Sequence, residues 1–262
     1  MSEAADHPTP APGAPCWVSL PVRGLAAAQE FYGGLFGWEF ESGPGGLGPY
    51  VRAYVKGEPV AGMSERQAGT EQLRVTWLPF WASNDADATS AEVRDHGGTV
   101  AVGPVEWESE GRVVIASDTA GAAFGVWEGT RRFGWRVAEV GVTGIPVWYE
   151  LIVREAWSAE AFYRQVFGHE ALAEESAPDY LTLRLEGQPI AGVLGVGDRL
   201  PRDRGPHWKT YFAVEDPDAA VSTAVRLGGR TVRPPHESPY GRTATLADPE
   251  GAHFSVISRR LL

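Results

Sequence analysis

The chain is poor in the side chains that hold metals and cross-links. It has one cysteine, Cys16, and six histidines in 262 residues. A lone thiol excludes an intramolecular disulfide and a cysteine-rich metal site. No apolar run approaches the roughly 18 residues that a membrane span requires. Positive charge is scarce: 23 Lys and Arg against 34 Asp and Glu give a net charge of −11. That balance argues against a nucleic-acid partner, because phosphate recognition needs clustered Lys and Arg. It is compatible with attraction of a cationic small molecule, and acidity also serves plain solubility. No glycine-rich phosphate loop stands between a strand and a helix; residues 43–46 precede a strand and read as a turn. No Gly-x-Ser-x-Gly nucleophile elbow occurs. Residues 1–15 are rich in Ala and Pro, without the basic start and apolar core of a secretion signal, and read as a disordered tail on a cytoplasmic protein.

What the chain does have is a duplication. Phe31-Tyr-Gly-Gly-Leu-Phe-Gly-Trp38 returns as Phe162-Tyr-Arg-Gln-Val-Phe-Gly-His169, 131 positions later. Glu58-Pro-Val-Ala-Gly-Met63 returns as Gln188-Pro-Ile-Ala-Gly-Val193, and Asp118-Thr-Ala-Gly-Ala-Ala-Phe124 as Asp248-Pro-Glu-Gly-Ala-His-Phe254, each 130 later. Separated matches at a near-constant offset define a tandem repeat of roughly 115–120 residues, an ordinary domain size. The division is 16–129 for the first domain, 130–145 for a linker and 146–262 for the second.

Within each repeat one pattern runs twice. Residues 17–22 alternate as a strand, and 25–35 place Ala28, Phe31, Tyr32 and Leu35 on one helical face. Strands are expected at 38–40, 50–56 and 60–64, separated by Gly-rich turns. A strand at 73–82 follows, then a helix at 85–96 with Ser83, Asn84 and Asp85 as capping candidates and Gly97-Gly98 as its stop. Strands at 99–102, 112–117 and 122–127 close the repeat. The second repeat follows suit, with helices at 158–167 and 217–227. The fold class is therefore α+β: four βαβββ modules forming two cup-shaped, eight-stranded domains in tandem, helices outside and a concave face free for a small molecule.

These residues resemble the vicinal oxygen chelate superfamily, which includes glyoxalase I, bleomycin-resistance proteins and extradiol dioxygenases. The likeness lies in the Phe-Tyr-x-x-Leu/Val-Phe-Gly blocks, the Asp216-Pro-Asp218 helix start and the Asp248-Pro-Glu-Gly251 entry to the last strand; Asp118-Thr-Ala-Gly121 lacks the proline. It covers residues 16–258. The texture is similar to Trp-rich two-repeat actinobacterial members, some of which accompany anthracycline-type biosynthesis. The resemblance implies a divalent metal held by His, Gln or Glu at three cup positions. Those positions fall on Trp17, Leu78 and Gly125 in the first repeat and on Trp148, Lys209 and Ser255 in the second. Divalent metals need imidazole or carboxylate donors, so no metal and no cofactor are expected. A displaced set of His207, His253 and Glu150 stays open as an alternative. His96 and His169 end helices, where a histidine suits the last carbonyls; His236 sits in a Pro-rich loop.

Ten tryptophans are the positive signal, since strand alternation points several inward. The first cup is expected to hold Trp17, Ser19, Phe80 and Trp127, with Tyr54 at its rim. The second is expected to hold Trp148, Glu150, Lys209, Tyr211, His253 and Ser255. Flat rings offer stacking surfaces to a planar ligand, and Glu150 could meet a ligand amine. The reading is a metal-free protein that binds an aromatic, polycyclic metabolite for sequestration, self-resistance or service to a biosynthetic oxygenase. The alternatives are a metal-independent acid/base enzyme using Glu150 or Lys209, a metal-dependent lyase or dioxygenase with displaced ligands, and a duplicate whose cups are plugged by core. No membrane partner is expected, and monomer and homodimer both stay open.

Overall fold

The computed structural model describes residues 10–43, 48–66, 75–129, 142–175, 177 and 179–259. Residues 1–9 of the expected tail and 130–141 of the expected linker lie outside them. The first repeat contains β1 (Pro15–Val22), α1 (Leu25–Phe36), β2 (Glu39–Ser42), β3 (Tyr50–Val55) and β4 (Glu58–Glu65). It continues with β5 (Leu78–Ala82), α2 (Ala86–Asp95), β6 (Thr99–Trp107), β7 (Gly111–Ser117) and β8 (Ala123–Gly129). The second repeat gives β9 (Pro146–Val153), α3 (Trp157–Phe167), β10 (Glu170–Ala173), β11 (Tyr180–Leu185) and β12 (Gln188–Gly195). After a 3-10 turn at Gly197–Arg199 come β13 (His207–Ala213), α4 (Pro217–Arg226), β14 (Arg230–Ser238), β15 (Gly241–Ala247) and β16 (His253–Arg259).

Local chemistry fixes the element ends. The Asp85 carboxylate accepts the Ala88 amide at 2.9 Å to cap α2, and Asp216 caps α4 ahead of Pro217 at its first position. Gly37 and Gly168 close α1 and α3 with φ of 71° each, the left-handed turn that glycine adopts freely. Two strands exceed the sequence expectation: β6 runs five residues past 102, and β14 carries Pro234, Pro235 and His236. Both are edge strands with register shifts at their prolines, where a missing amide costs no ladder bond. The strand expected from residue 73 begins instead at Leu78, and 73–74 lie outside the described residues.

Each repeat folds into its own eight-stranded mixed sheet, ordered β2-β3-β4-β1-β5-β8-β7-β6 and β10-β11-β12-β9-β13-β16-β15-β14. The two βαβββ modules meet where β1 pairs antiparallel with β5, and β9 with β13. Alternation along β1 sends Val18, Leu20 and Val22 to the convex side and Trp17 and Ser19 to the concave side.

The convex faces do not stand apart. They share one apolar core that also takes in the helices. The α1 residues Phe31 and Phe36 lie 6.4 and 6.0 Å from Phe254 of the other sheet, and α3 reciprocates with Phe162 and Phe167 against Phe124. Trp81 meets Trp208 at 5.3 Å. Two crossed polar chains run through this core. Trp77 Nε1 donates to the Tyr32 hydroxyl, which donates to Asp248 of the other repeat at 3.0 Å. Trp208 Nε1 donates to the Tyr163 hydroxyl, which donates to Asp118 at 2.9 Å. Glu250 adds a third tie by accepting the amides of Arg23 and Gly24 at the start of α1.

Candidate functional site

The two cups share a backbone and one internal contact. Trp17 Nε1 donates to the Tyr50 hydroxyl at 3.0 Å, and Trp148 Nε1 reaches the Tyr180 hydroxyl at 3.4 Å. Each tyrosine lies over a strand glycine, Gly62 or Gly192, where a Cβ would stand 1.8 or 2.0 Å from the phenol oxygen. Only glycine allows a ring that close to the sheet. Tyr50 and Tyr180 are site residues that reading the sequence missed, and the glycines at 62 and 192 inside a strand pattern were the available signal.

Beyond this pair the cups diverge. In the first, Trp17, Phe80, Trp127 and Trp107 are each less than 10% exposed and pack into one apolar cluster with Leu78 and Val113. The Phe80 ring lies flat on Gly125, where a Cβ would meet it at 2.2 Å. Ser19 is buried beside these rings, and Tyr54 is half-buried at the rim near Glu41 and Arg52. An Arg52–Glu110 ion pair spans β3 and the β6–β7 hairpin. Burial pushes the Tyr50 hydroxyl up to about 12, with Trp17 opposing. The first cup is filled with its own side chains.

The second cup carries polar groups at the same positions. Lys209 pairs with Glu150 across the β9–β13 ladder, and its Nζ sits 2.7 Å from the carboxylate. The Tyr211 hydroxyl donates to the same Glu150 oxygen at 2.9 Å, and the ammonium lies 4.9 Å from the Tyr211 ring centre. Ser255 faces Tyr211 on β16 and contacts Thr245 Oγ1 at 3.0 Å. Because Ser255 has the Cβ that Gly125 lacks, Tyr211 is barred from the flat pose of Phe80. Its hydroxyl reaches Glu150 instead. Trp148 and Tyr211 stay partly open to solvent where Trp17 and Phe80 are closed.

Electrostatics hold Lys209 and Tyr211 each in one protonation state. Burial would strip the Lys209 proton, but Glu150 and then Tyr211 overcome it and hold the ammonium above its ordinary value. Burial raises Tyr211 to about 12 against the pull of Lys209. At neutral pH the cup therefore presents a charged ammonium and a protonated phenol, both directed at Glu150.

His253 stands partly buried two residues before Ser255; burial and then the nearby Arg204 and Arg230 charges lower it to about 3. His207 is lowered by burial, and its Nδ1 lies 2.8 Å from the Gly205 carbonyl. His169 follows α3 but serves the other repeat rather than the last carbonyls of its helix: it is 1% exposed, binds the Gly13 carbonyl at 2.7 Å and is lowered to about 4 by burial.

The donor chemistry does not fit a divalent metal. Indole, leucine and glycine at 17, 78 and 125 offer no ligand, and in the second cup Glu150 is engaged by Lys209 and Tyr211. Among the described residues no three His, Cys, Asp or Glu side chains stand together as a metal set, so His207, His253 and Glu150 do not form the displaced site.

A surface cleft of about 460 Å³ beside the β6–β7 hairpin is lined by Glu106, Glu108, Glu110, Glu128 and Arg112. Arg112 pairs with Glu106 and Glu128, Arg52 with Glu110, and Glu108 is engaged as well, so its acids are spoken for and the cups remain the better candidate. No described helix is long and apolar enough to cross a membrane.

Paired βαβββ modules, doubled and curled around concave faces, define a glyoxalase-like protein, and this chain belongs to the glyoxalase-like vicinal oxygen chelate family. A family model for a glyoxalase-like domain matches residues 151–257. The chain is 36% identical over 266 residues to the anthracycline biosynthesis protein DauV of Streptomyces sp. strain C5, covering 95% of this chain and 94% of that one. It is 34% identical over 252 residues to the putative glyoxylase CFP32 of Mycobacterium tuberculosis, covering 94% of each. Among solved structures, the Mn(II)-bound glyoxalase from Novosphingobium aromaticivorans aligns with a TM-score of 0.66 at 16% identity, over 94% of this chain and 82% of that one. The 2,3-dioxygenase LapB from Pseudomonas sp. KL28 aligns at 0.64 and 14%, over 95% and 94%. These last two likenesses speak to the fold alone.

Proposed function

We propose that the protein binds a planar aromatic small molecule in its second cup, without a metal. The carrying observation is the divergence of two cups that share one backbone. The first is packed shut with its own rings, while the second keeps Trp148 and Tyr211 partly open above a paired Lys209 and Glu150. Rings lining the walls supply stacking faces. The ammonium, phenol and hydroxyls of the floor suit a ligand edged with hydroxyl or carbonyl oxygens. About 300 Å² of apolar contact would contribute several kcal/mol at about 25 cal/mol per Å², before ordering costs. Relatives named for anthracycline biosynthesis favour a polycyclic, oxygenated ligand and a role in sequestration, self-resistance or delivery to a biosynthetic oxygenase.

The same three side chains favour one second reading, a metal-independent proton-transfer enzyme on such a substrate. Glu150, Lys209 and Tyr211 are the proton-carrying side chains of this cup, and an acid/base step requires one of them within hydrogen-bond reach of a substrate proton.

The test is tryptophan fluorescence titration with hydroxylated planar aromatics, with and without EDTA. Saturable quenching that ignores EDTA and is lost in Trp148→Ala supports the binding cup. Quenching abolished by EDTA, or retained in Trp148→Ala and lost in Trp17→Ala, overturns it. Conversion of the ligand, sensitive to Glu150→Gln, selects the enzyme.

A further inference from the structure

The rim of the first cup is locked, and the lock has a counterpart in the second that is built differently. Arg52 and Glu110 pair across the first rim with side chains only 7% and 18% exposed. Counting along the repeat, Arg52 corresponds to Thr182 and Glu110 to Tyr240; each pair is 130 positions apart, the offset that also relates Gly111 to Gly241 and Tyr50 to Tyr180. Thr182 donates to Glu174 on its own side of the cup at 2.5 Å and so does not reach across.

Tyr240 occupies the tip of the β14–β15 hairpin. Two hydrogen bonds tie the turn: Ser238 Oγ donates to the Gly241 carbonyl at 2.6 Å and accepts the Tyr240 amide at 3.3 Å. The ring it carries is 63% exposed, although an aromatic of this size ordinarily buries much of its surface. Burial, then the charges of Glu174 and Glu150, hold the Tyr240 hydroxyl above its ordinary value.

We propose that Tyr240 is the ring that covers a ligand in the second cup, standing on a hairpin tip where the first cup has its closing ion pair. This rests on the second cup being the binding site. A planar ligand lying over the floor formed by Lys209, Glu150 and Tyr211 would then have Trp148 and Tyr180 on its walls and Tyr240 above. The residue would set which ring systems are retained: fused planar systems meet it face to face, while single rings leave it unfilled.

The experiment uses the full chain with 1,2-dihydroxyanthraquinone as probe, read by tryptophan quenching at equilibrium and by stopped-flow dissociation. Tyr240→Ala should raise the Kd about three- to tenfold, the range of one aromatic contact, chiefly through a faster off-rate. Tyr240→Trp should restore it. The double variant Thr182→Arg/Tyr240→Glu recreates the first cup's lock and should abolish binding with the Tm unchanged. Wild-type affinity and off-rate in both Tyr240→Ala and the double variant would overturn the proposal while leaving the binding cup standing. Absence of saturable binding by the wild type would remove the cup and the proposal together.

Discussion

The crossed chain Trp208–Tyr163–Asp118 offers the sharpest perturbation of the fold, Tyr163→Phe. The lost hydroxyl donates to Asp118 and accepts the Trp208 indole N–H, in a place where Trp208 is 2% and Asp118 3% exposed. Asp118 keeps its amide bonds from Ala120 and Ala122 at 2.9 Å each, so its turn survives. What is lost is one charge-assisted hydrogen bond, and what is left is one orphaned buried donor. A buried donor without a partner costs about 1–3 kcal/mol, and a bond to a charged group contributes about 1.5–3 kcal/mol. Because both effects act through one hydroxyl, a total of about 2–4 kcal/mol is expected, or roughly 5–15 °C in Tm for a chain of this size. The pH dependence has a definite sign. Burial raises Asp118 above the usual carboxylate value while the Tyr163 bond pulls it down. Removing that bond raises it further, so the folded variant binds a proton that its unfolded chain has released. Its deficit should therefore shrink as pH falls from neutral towards the ordinary carboxylate range and be largest at pH 7–8. Urea unfolding of both proteins at pH 8 and pH 5 reads this directly. A deficit below about 1 kcal/mol, or one that does not shrink at pH 5, would refute the reasoning.

Other outcomes follow from the same contacts. Trp17→Ala should cost about 3–5 kcal/mol in denaturant, as a ring removed from a closed cluster, whereas Trp148→Ala, at a ring partly open to solvent, should cost clearly less. Lys209→Met leaves the buried Glu150 carboxyl without its cation, and should destabilise by about 3–5 kcal/mol, while Glu150→Ser/Lys209→Leu copies the first cup's Ser19 and Leu78 and should recover most of that loss in the same assay. His169 is lowered to about 4, so its unfolded form protonates first as pH drops below about 6.5 and stability is lost from there to about pH 4. His169→Trp, which installs the residue found at the equivalent Trp38, should flatten that part of the stability–pH curve; an unchanged slope between pH 6.5 and 4 would remove His169 as its cause.

The duplication made most of the fold legible. Constant offsets placed the helices and most strands, and period-two alternation put Trp17, Phe80, Trp148, Lys209 and Tyr211 on the concave faces. The extent of β6 and β14 was hidden by their prolines, which read as breaks and turned out to sit at edge-strand bulges. Which cup is closed was not legible, because it depends on residues arriving from other strands. Tyr50 and Trp107 enter the first cup across the sheet, and Gly125 versus Ser255 decides whether the facing ring lies flat. The Lys209–Glu150 pair needed the β9–β13 register, which residue spacing alone does not supply. The ties of Tyr32 to Asp248 and of His169 to Gly13 join residues 216 and 156 positions apart. Only the shared core brings them together. Trp38 and His169 hold one repeat position as different residues, yet a ring nitrogen of each bonds the carbonyl of a glycine preceding the opposite repeat, Gly144 and Gly13.

The most direct measurement is a crystal structure of the protein grown with 1,2-dihydroxyanthraquinone. The account predicts density for the ring system among Trp148, Tyr180 and Tyr211, oxygens towards Lys209, with the first cup's rings unmoved. Density in the first cup with Phe80 or Trp127 displaced, or in the acidic cleft at Glu106 and Glu128, would contradict it.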